Sequence, residues 1–324
     1  MNCPSSHIVL VTGAGGFIGR AVAKQLIKAG HHVRPVARQA GRLDGGTRIA
    51  GVGEMSLTTE WQDVLGGVTC VVHCAARAHR INDKNAESVE AFRAANVEAA
   101  LRLAEQTAQQ GVRRFIFVSS IGVNGNRTIK PFTELDAPNP AEGYAQSKLE
   151  AELALRQLAR NTGLELAIVR PPLVYGPDAP GNFGRLLRLV KTGFPLPLGA
   201  AAAPRSFVAL DNLVDFISTL VAHPRAAGEL FLVSDGRDLS TAELLRLIAK
   251  GLDKPLRLVS VPQPVLLAVA RAFGRGAMID RLTAPLQIDI SKARNVLGWQ
   301  PPVRPETAVP SAVSGQRLGT AATT

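Results

Sequence analysis

Tyr144 and Lys148 stand four residues apart in the run Tyr144-Ala145-Gln146-Ser147-Lys148. On a helix that spacing puts both side chains on one face. A tyrosine hydroxyl titrates near pH 10 by itself, and an ammonium beside it favours the phenolate. Such a pair can exchange a proton with a substrate oxygen near neutrality. Ser120 follows the apolar run Arg113–Ser119, and its hydroxyl could hydrogen-bond the same oxygen. In isolation a Tyr and a Lys at this spacing are more often an exposed helix pair, so its meaning depends on what the rest of the chain builds.

A second pattern opens the chain. Val9-Leu10-Val11-Thr12 runs straight into Gly13-Ala14-Gly15-Gly16-Phe17-Ile18-Gly19, and a helix pattern follows to Ala29. Gly13, Gly16 and Gly19 lie three apart between an apolar strand and a helix. This is the turn that places a pyrophosphate on a helix N-terminus. Gly13 permits the turn, Gly16 admits the phosphates, and Gly19 lets the helix sit close to the strand.

The elements that must hold these residues alternate. Strands are expected at 7–12, 32–37, 48–52, 68–76, 113–119 and 164–170. Helices are expected at 20–29, 58–65, 86–110 and 144–161. Most of the strands are continuous apolar runs, which points to a parallel sheet covered on both faces. The fold class expected is α/β, a Rossmann-type doubly wound parallel sheet with a smaller C-terminal α/β substrate lobe. Residues 1–170, with about 205–228, form the dinucleotide-binding domain in this reading. Residues 171–204, rich in Pro and Gly, and 229–302 form the substrate lobe, the latter opening as strand, helix, strand. The Pro-, Ala- and Thr-rich tail 303–324 is expected to be disordered.

Composition narrows the function classes. The chain has 324 residues, 46% of them hydrophobic and 19% charged, as in an ordinary globular protein. Its formal charge is +11, but aromatics are only 5% and no run of five like charges occurs. Stacking platforms for bases are therefore not expected, nor is nucleic acid as a partner. No apolar run approaches the length of about 18 residues that spans a bilayer. Residues 264–273 are apolar but short; they read as packing in the small lobe, with a weak membrane-surface contact as the alternative. Cys3, Cys70 and Cys74 form no framework of pairs, so reduced thiols and a cytoplasmic location are expected. No metal enters this reading.

The second strand ends Val36-Ala37-Arg38 with no acid to take ribose hydroxyls. Ala37 leaves room and Arg38 offers a forked donor for a phosphate, which favours NADP(H) over NAD(H). Glu54 and Met55 fall where an adenine contact is expected.

Taken together these stretches resemble the extended short-chain dehydrogenase/reductase family of nucleotide-sugar epimerases, dehydratases and reductases. The resemblance also rests on Val72-His73-Cys74-Ala75-Ala76, Asn96-Val97, Phe117-Val118-Ser119-Ser120 and Arg170-Pro171-Pro172-Leu173-Val174-Tyr175-Gly176-Pro177. It implies that Tyr144 moves the proton, Lys148 holds the nicotinamide ribose, and Ser120 orients the substrate oxygen. It also implies that Phe17, Ile18, Ala75, Ala76 and Asn96 line or support the cofactor, with Pro171 and Val174 on the nicotinamide side. By the same resemblance Asn182 contacts the sugar nucleotide, and Arg205 and Arg281 grip its diphosphate. A tyrosine common four residues after the serine is replaced by Asn124, and the Asp-Glu pair of dehydratases is missing at Ile121-Gly122.

The expectation is an NAD(P)-dependent enzyme acting on a UDP-sugar. The favoured reaction is NADPH-dependent reduction of a UDP-4-keto-6-deoxy-hexosamine at C4. The alternative is a UDP-sugar 4-epimerase on UDP-glucose or UDP-N-acetylglucosamine. A non-catalytic cofactor-sensing regulator stands third, weakened by the presence of the Tyr–Lys pair. The long helices at 86–110 and 144–161 suit a homodimer interface.

Overall fold

The computed structural model describes residues 6–77, 89–274 and 276–314. Strand β1 (Ile8–Thr12) leads into α1 (Phe17–Lys28), then β2 (His32–Ala37), a short β3 (Gly41–Arg42) and β4 (Arg48–Gly51). One turn of helix, α2 (Gln62–Leu65), precedes β5 (Cys70–His73). A helical stretch follows as α3 (Val89–Arg93), a π-helical turn at Ala94–Glu98, and α4 (Ala99–Gln109). Then come β6 (Arg114–Val118), α5 (Gly143–Thr162), β7 (Glu165–Arg170), β8 (Leu173–Tyr175), α6 (Gly181–Thr192), β9 (Phe207–Ala209) and α7 (Leu210–Ala222). The chain ends with β10 (Leu230–Leu232), α8 (Thr241–Gly251), α9 (Gln263–Ala272), α10 (Gly276–Thr283), α11 (Ser291–Leu297) and α12 (Pro305–Ser314).

Eight strands form one sheet in the order β10-β7-β6-β5-β1-β2-β4-β3, parallel throughout except at the edge pair β3–β4. From β4 to β7 this is the doubly wound order, with the chain reversing direction across the sheet at β1. Helices cover both faces. One core packs α1, α7 and α11 against one face, and the other packs α4 and α5 against the opposite face. A third core joins α6, α8 and α12 with the two-stranded sheet β8–β9.

Three expectations change. Leu230–Leu232 falls in the stretch assigned to the substrate lobe, but it pairs with β7 and extends the main sheet. Its Leu-Phe-Leu is buried, which the edge of a two-sided α/β sheet rewards. Among the described residues no second strand follows α8; Leu258 makes an isolated bridge to Leu196. Of the tail, Pro305–Ser314 form α12, because Ala308 and Val309 bury against the third core. Cys70 and Cys74 are free thiols; Cys3, residues 86–88 and 315–324 lie outside the described residues. No helix among the described residues is long and apolar enough to cross a membrane.

Candidate active site

Parallel strands bring their C-terminal ends to one edge of the sheet, and the candidate residues follow those ends. Gly13 follows β1, Arg38 follows β2, Ala75 and Ala76 lie beyond β5, Ser120 beyond β6 and Pro171 directly after β7. That edge is where open α/β sheets take ligands.

The glycine turn fits a dinucleotide. Gly13 has φ +68°, and a Cβ there would stand 2.8 Å from the Ala75 backbone nitrogen. A Cβ on Gly19 would collide with the Gly13 carbonyl, so α1 lies directly on the turn. The Gly16 amide donates to Gly13 O at 2.8 Å. Gly16 is also the N-cap of α1, with no capping side chain and no acid in the first turn. The amides of Phe17 and Ile18 lie at this uncapped helix start, where the backbone carries positive character. Close backbone approaches at Gly13 and Gly19 beside an uncapped helix are chemistry that fits a pyrophosphate.

At the second strand end Ala37 is buried and packs near Gly15, where a Cβ would meet Ala37 Cβ at 3.4 Å. Arg38 is exposed and its Nη1 lies 3.8 Å from Glu54 Oε1, also exposed. The sequence placed these two residues in separate roles; the structure brings them together. Met55 is half-buried against the second core.

Asn96 sits in the π-helical turn and is 1% exposed. Its amide donates to Arg77 O at 3.0 Å and to Ser147 Oγ at 3.0 Å, and its Oδ1 accepts from Arg77 N at 2.7 Å. It thus ties the loop after β5 to α5. A π turn is a frequent device for aiming one side chain this way.

Ser120 caps a short 3₁₀ turn, Ile121–Val123, its Oγ accepting from Gly122 N at 3.1 Å. Tyr144 is the second residue of α5, edge-on to Phe92. Burial pushes its hydroxyl up to about 12. Lys148 Nζ donates to Val118 O at 2.8 Å and lies 4.4 Å over the Phe117 ring. Burial pulls Lys148 down to about 8, while Cys74 and Glu152 favour its charged form. His73 stacks on Phe117, and its Nδ1 meets Thr12 Oγ1 at 2.8 Å. Burial and then the Lys148 charge lower its pKa to about 3, so it is neutral.

Behind these groups lies a buried network that the sequence reading did not single out. Arg170 donates to both carboxylate oxygens of Glu152, at 2.9 and 2.5 Å, and to Asn124 Oδ1 at 2.8 Å. Ser119 Oγ donates to the same carboxylate. Glu152 follows Lys148 by four, on the same face of α5, and that spacing was the available signal. Asn124, noted only as a departure, is the partner that Arg170 needs.

The substrate-side candidates divide. Arg205 reaches the Ala284 carbonyl just beyond α10, and burial lowers its guanidinium to about 10, offset by Asp280. Arg281, on α10, pairs with Glu142 at 2.7 Å, two residues before Tyr144. Asp280 pairs with Arg127 at 3.0 Å. Both arginines therefore stand at the α10 wall. Asn182 is exposed at the start of α6, accepting from Arg185 at 3.4 Å. Val174 is half-buried in β8.

The profile of the NAD dependent epimerase/dehydratase family matches residues 9–234. The chain belongs to this family. A "UDP-glucose 4-epimerase" of Vibrio cholerae is 44% identical over 298 residues, covering 91% of this chain and 90% of the relative. Among solved structures, a Thermotoga maritima UDP-glucose 4-epimerase with UDP-glucose superposes with a TM-score of 0.73 at 26% identity, over 94% of this chain and 97% of that one. A Bacillus cereus UDP-glucuronic acid 4-epimerase with NAD has a TM-score of 0.77 at 22% identity, covering 94% and 97%. The family, the α/β fold and NAD(P)-dependent nucleotide-sugar chemistry expected from the sequence all stand.

Proposed function

We propose that this member of the family is a UDP-hexose 4-epimerase, acting on UDP-glucose or its N-acetylated counterpart. The observation that carries this reading is the 44% identity spanning nine-tenths of both chains. In the proposal Tyr144 takes the proton from the sugar 4-hydroxyl and returns it after the ring has turned over. Ser120 donates to the same oxygen, and Lys148 stabilises the phenolate through space. The Gly13–Gly19 turn would hold the pyrophosphate of a dinucleotide, whose nicotinamide would supply reversible hydride acceptance from C4. Ala75 and Ala76 would lie along the cofactor with Pro171 and Val174 on its nicotinamide side, and Asn96 ties the loop after β5 that carries Ala75 and Ala76. Arg205 and Arg281 take the diphosphate, for which the guanidinium fork is well matched, and Asn182 the sugar nucleotide. Two copies pairing through α4 and α5, where Leu153 is 58% exposed, complete the proposal.

A second reading, reduction of a UDP-4-keto sugar by NADPH, is favoured by Ala37 and Arg38. Against it, Glu54 places a carboxylate beside Arg38, which opposes a 2′-phosphate. One experiment separates the two. The purified protein is assayed for bound nucleotide and given UDP-glucose, then a UDP-4-keto sugar with NADPH. Retained NAD and interconversion of UDP-hexoses without net oxidation are expected. Net NADPH consumption, with no retained NAD, installs the reductase.

The cofactor end gives a further expectation. Replacing Ala37→Asp with Arg38→Asn puts a carboxylate where ribose hydroxyls sit and removes the cation. The ratio of NADPH to NADH dissociation constants should rise about tenfold or more. An unchanged ratio would remove this strand end from cofactor choice.

At the other end, Arg205→Ala should weaken UDP binding by about 2 kcal/mol, as for loss of a charged hydrogen-bond partner. Calorimetry showing equal UDP affinity would take Arg205 out of the diphosphate site.

A further inference from the structure

The outward face of α9 is apolar at helical spacing. Val265 and Val269 are 52% and 53% exposed, and Phe273, just past the helix, is 77% exposed. Ala268 and Ala272 between them are exposed as well. These positions run i, i+3, i+4, i+7, i+8, a single stripe. The opposite face already does the packing: Leu266 lies against the third core and Ala270 is buried. Scattered exposed hydrophobics need no explanation, but a continuous stripe marks a contact.

A second observation concerns charge. Residues 181–204 and 241–274 carry eight lysines and arginines against only Glu243 and Asp253, a net +6 within the chain's +11. None of the eight joins an ion pair among the described residues, where other cations take the carboxylates. These segments build the lobe that bears α9. There α6 packs on α8, and Leu258, in the link before α9, bridges to Leu196.

We propose that α9 docks this lobe onto an anionic phospholipid bilayer. Val265, Val269 and Phe273 enter the headgroup boundary, and the lobe's unpaired cations meet the anionic headgroups. A two-fold pairing of copies through this face would set two net-positive segments of this kind together, so lipid is the better complement. Helix α9 packs on α10, which carries Arg281 to Glu142. Docking therefore brings the mouth of the candidate site beside the membrane.

The test is co-sedimentation of the full chain with vesicles of equal parts phosphatidylglycerol and phosphatidylcholine, against phosphatidylcholine alone. Partition should be about tenfold stronger with the anionic lipid and should fall as salt screens the cations. Val269→Asp with Phe273→Asp should cost about tenfold in partition. Both sites are exposed, so melting temperature and NAD(P) affinity should not move. The proposal fails if the wild type ignores the anionic vesicles, binds both kinds equally, or loses nothing in the variant. It fails too if the wild type self-associates through α9 and the variant abolishes that without any vesicle binding. The docking does not rest on the epimerase reading, because vesicle partition and UDP-hexose turnover are read separately.

Discussion

Tyr144→Phe is expected to lower turnover about a hundredfold or more, the scale on which a general acid–base contributes. The change removes one oxygen and keeps the ring that packs edge-on against Phe92, so fold and NAD(P) affinity should persist. Burial already pushes the hydroxyl up to about 12. His73 is buried and neutral against Phe117, and Cys74 is pushed up to about 12 by burial. Steady-state rates with the nucleotide sugar, alongside cofactor titration, decide it. Activity within a factor of a few of wild type would remove Tyr144 from the mechanism.

Glu152→Ala should have the largest effect on stability. Glu152 and Arg170 are 1% and 4% exposed at the side chain. Removing the carboxylate leaves the guanidinium buried with Asn124 and no counter-charge, a loss on the order of 3–5 kcal/mol. Urea midpoints would report it, and a loss below about 1 kcal/mol would show that the site relaxes to admit water. The paired change Glu152→Met with Arg170→Met removes both charges and should recover much of the stability, since apolar replacement of a buried pair is often neutral. Lys148 gives a second readout. Glu152 favours its charged form, so in any folded Glu152→Gln protein the lysine should titrate lower than about 8.

Much of the site was legible because its signals are local. A glycine triplet between strand and helix implies close approaches that only a missing Cβ allows, and Gly13 and Gly19 make those approaches. Tyr144 and Lys148 declare a shared helix face by spacing. Glu152 carried the same signal and was passed over, because a carboxylate in a helix usually faces water; that Arg170 stands opposite it depends on how α5 crosses β7. Arg38 and Glu54 were separable in sequence for the same reason, since they meet only because the parallel strands β2 and β4 end side by side.

The sequence by itself determined the alternation of buried strands and helices, and with it the parallel sheet and the edge where a ligand must sit. Period and turn chemistry are written along the chain and need no distant partner. Tertiary structure alone decided where Leu230–Leu232 belongs, that Ala308 and Val309 bury α12, and that Lys148 reaches Val118 O. It also decided that α9 leaves one apolar face uncovered. Each of these turns on what lies opposite a residue in space, and burial and pairing energies are properties of that juxtaposition rather than of neighbours in the chain.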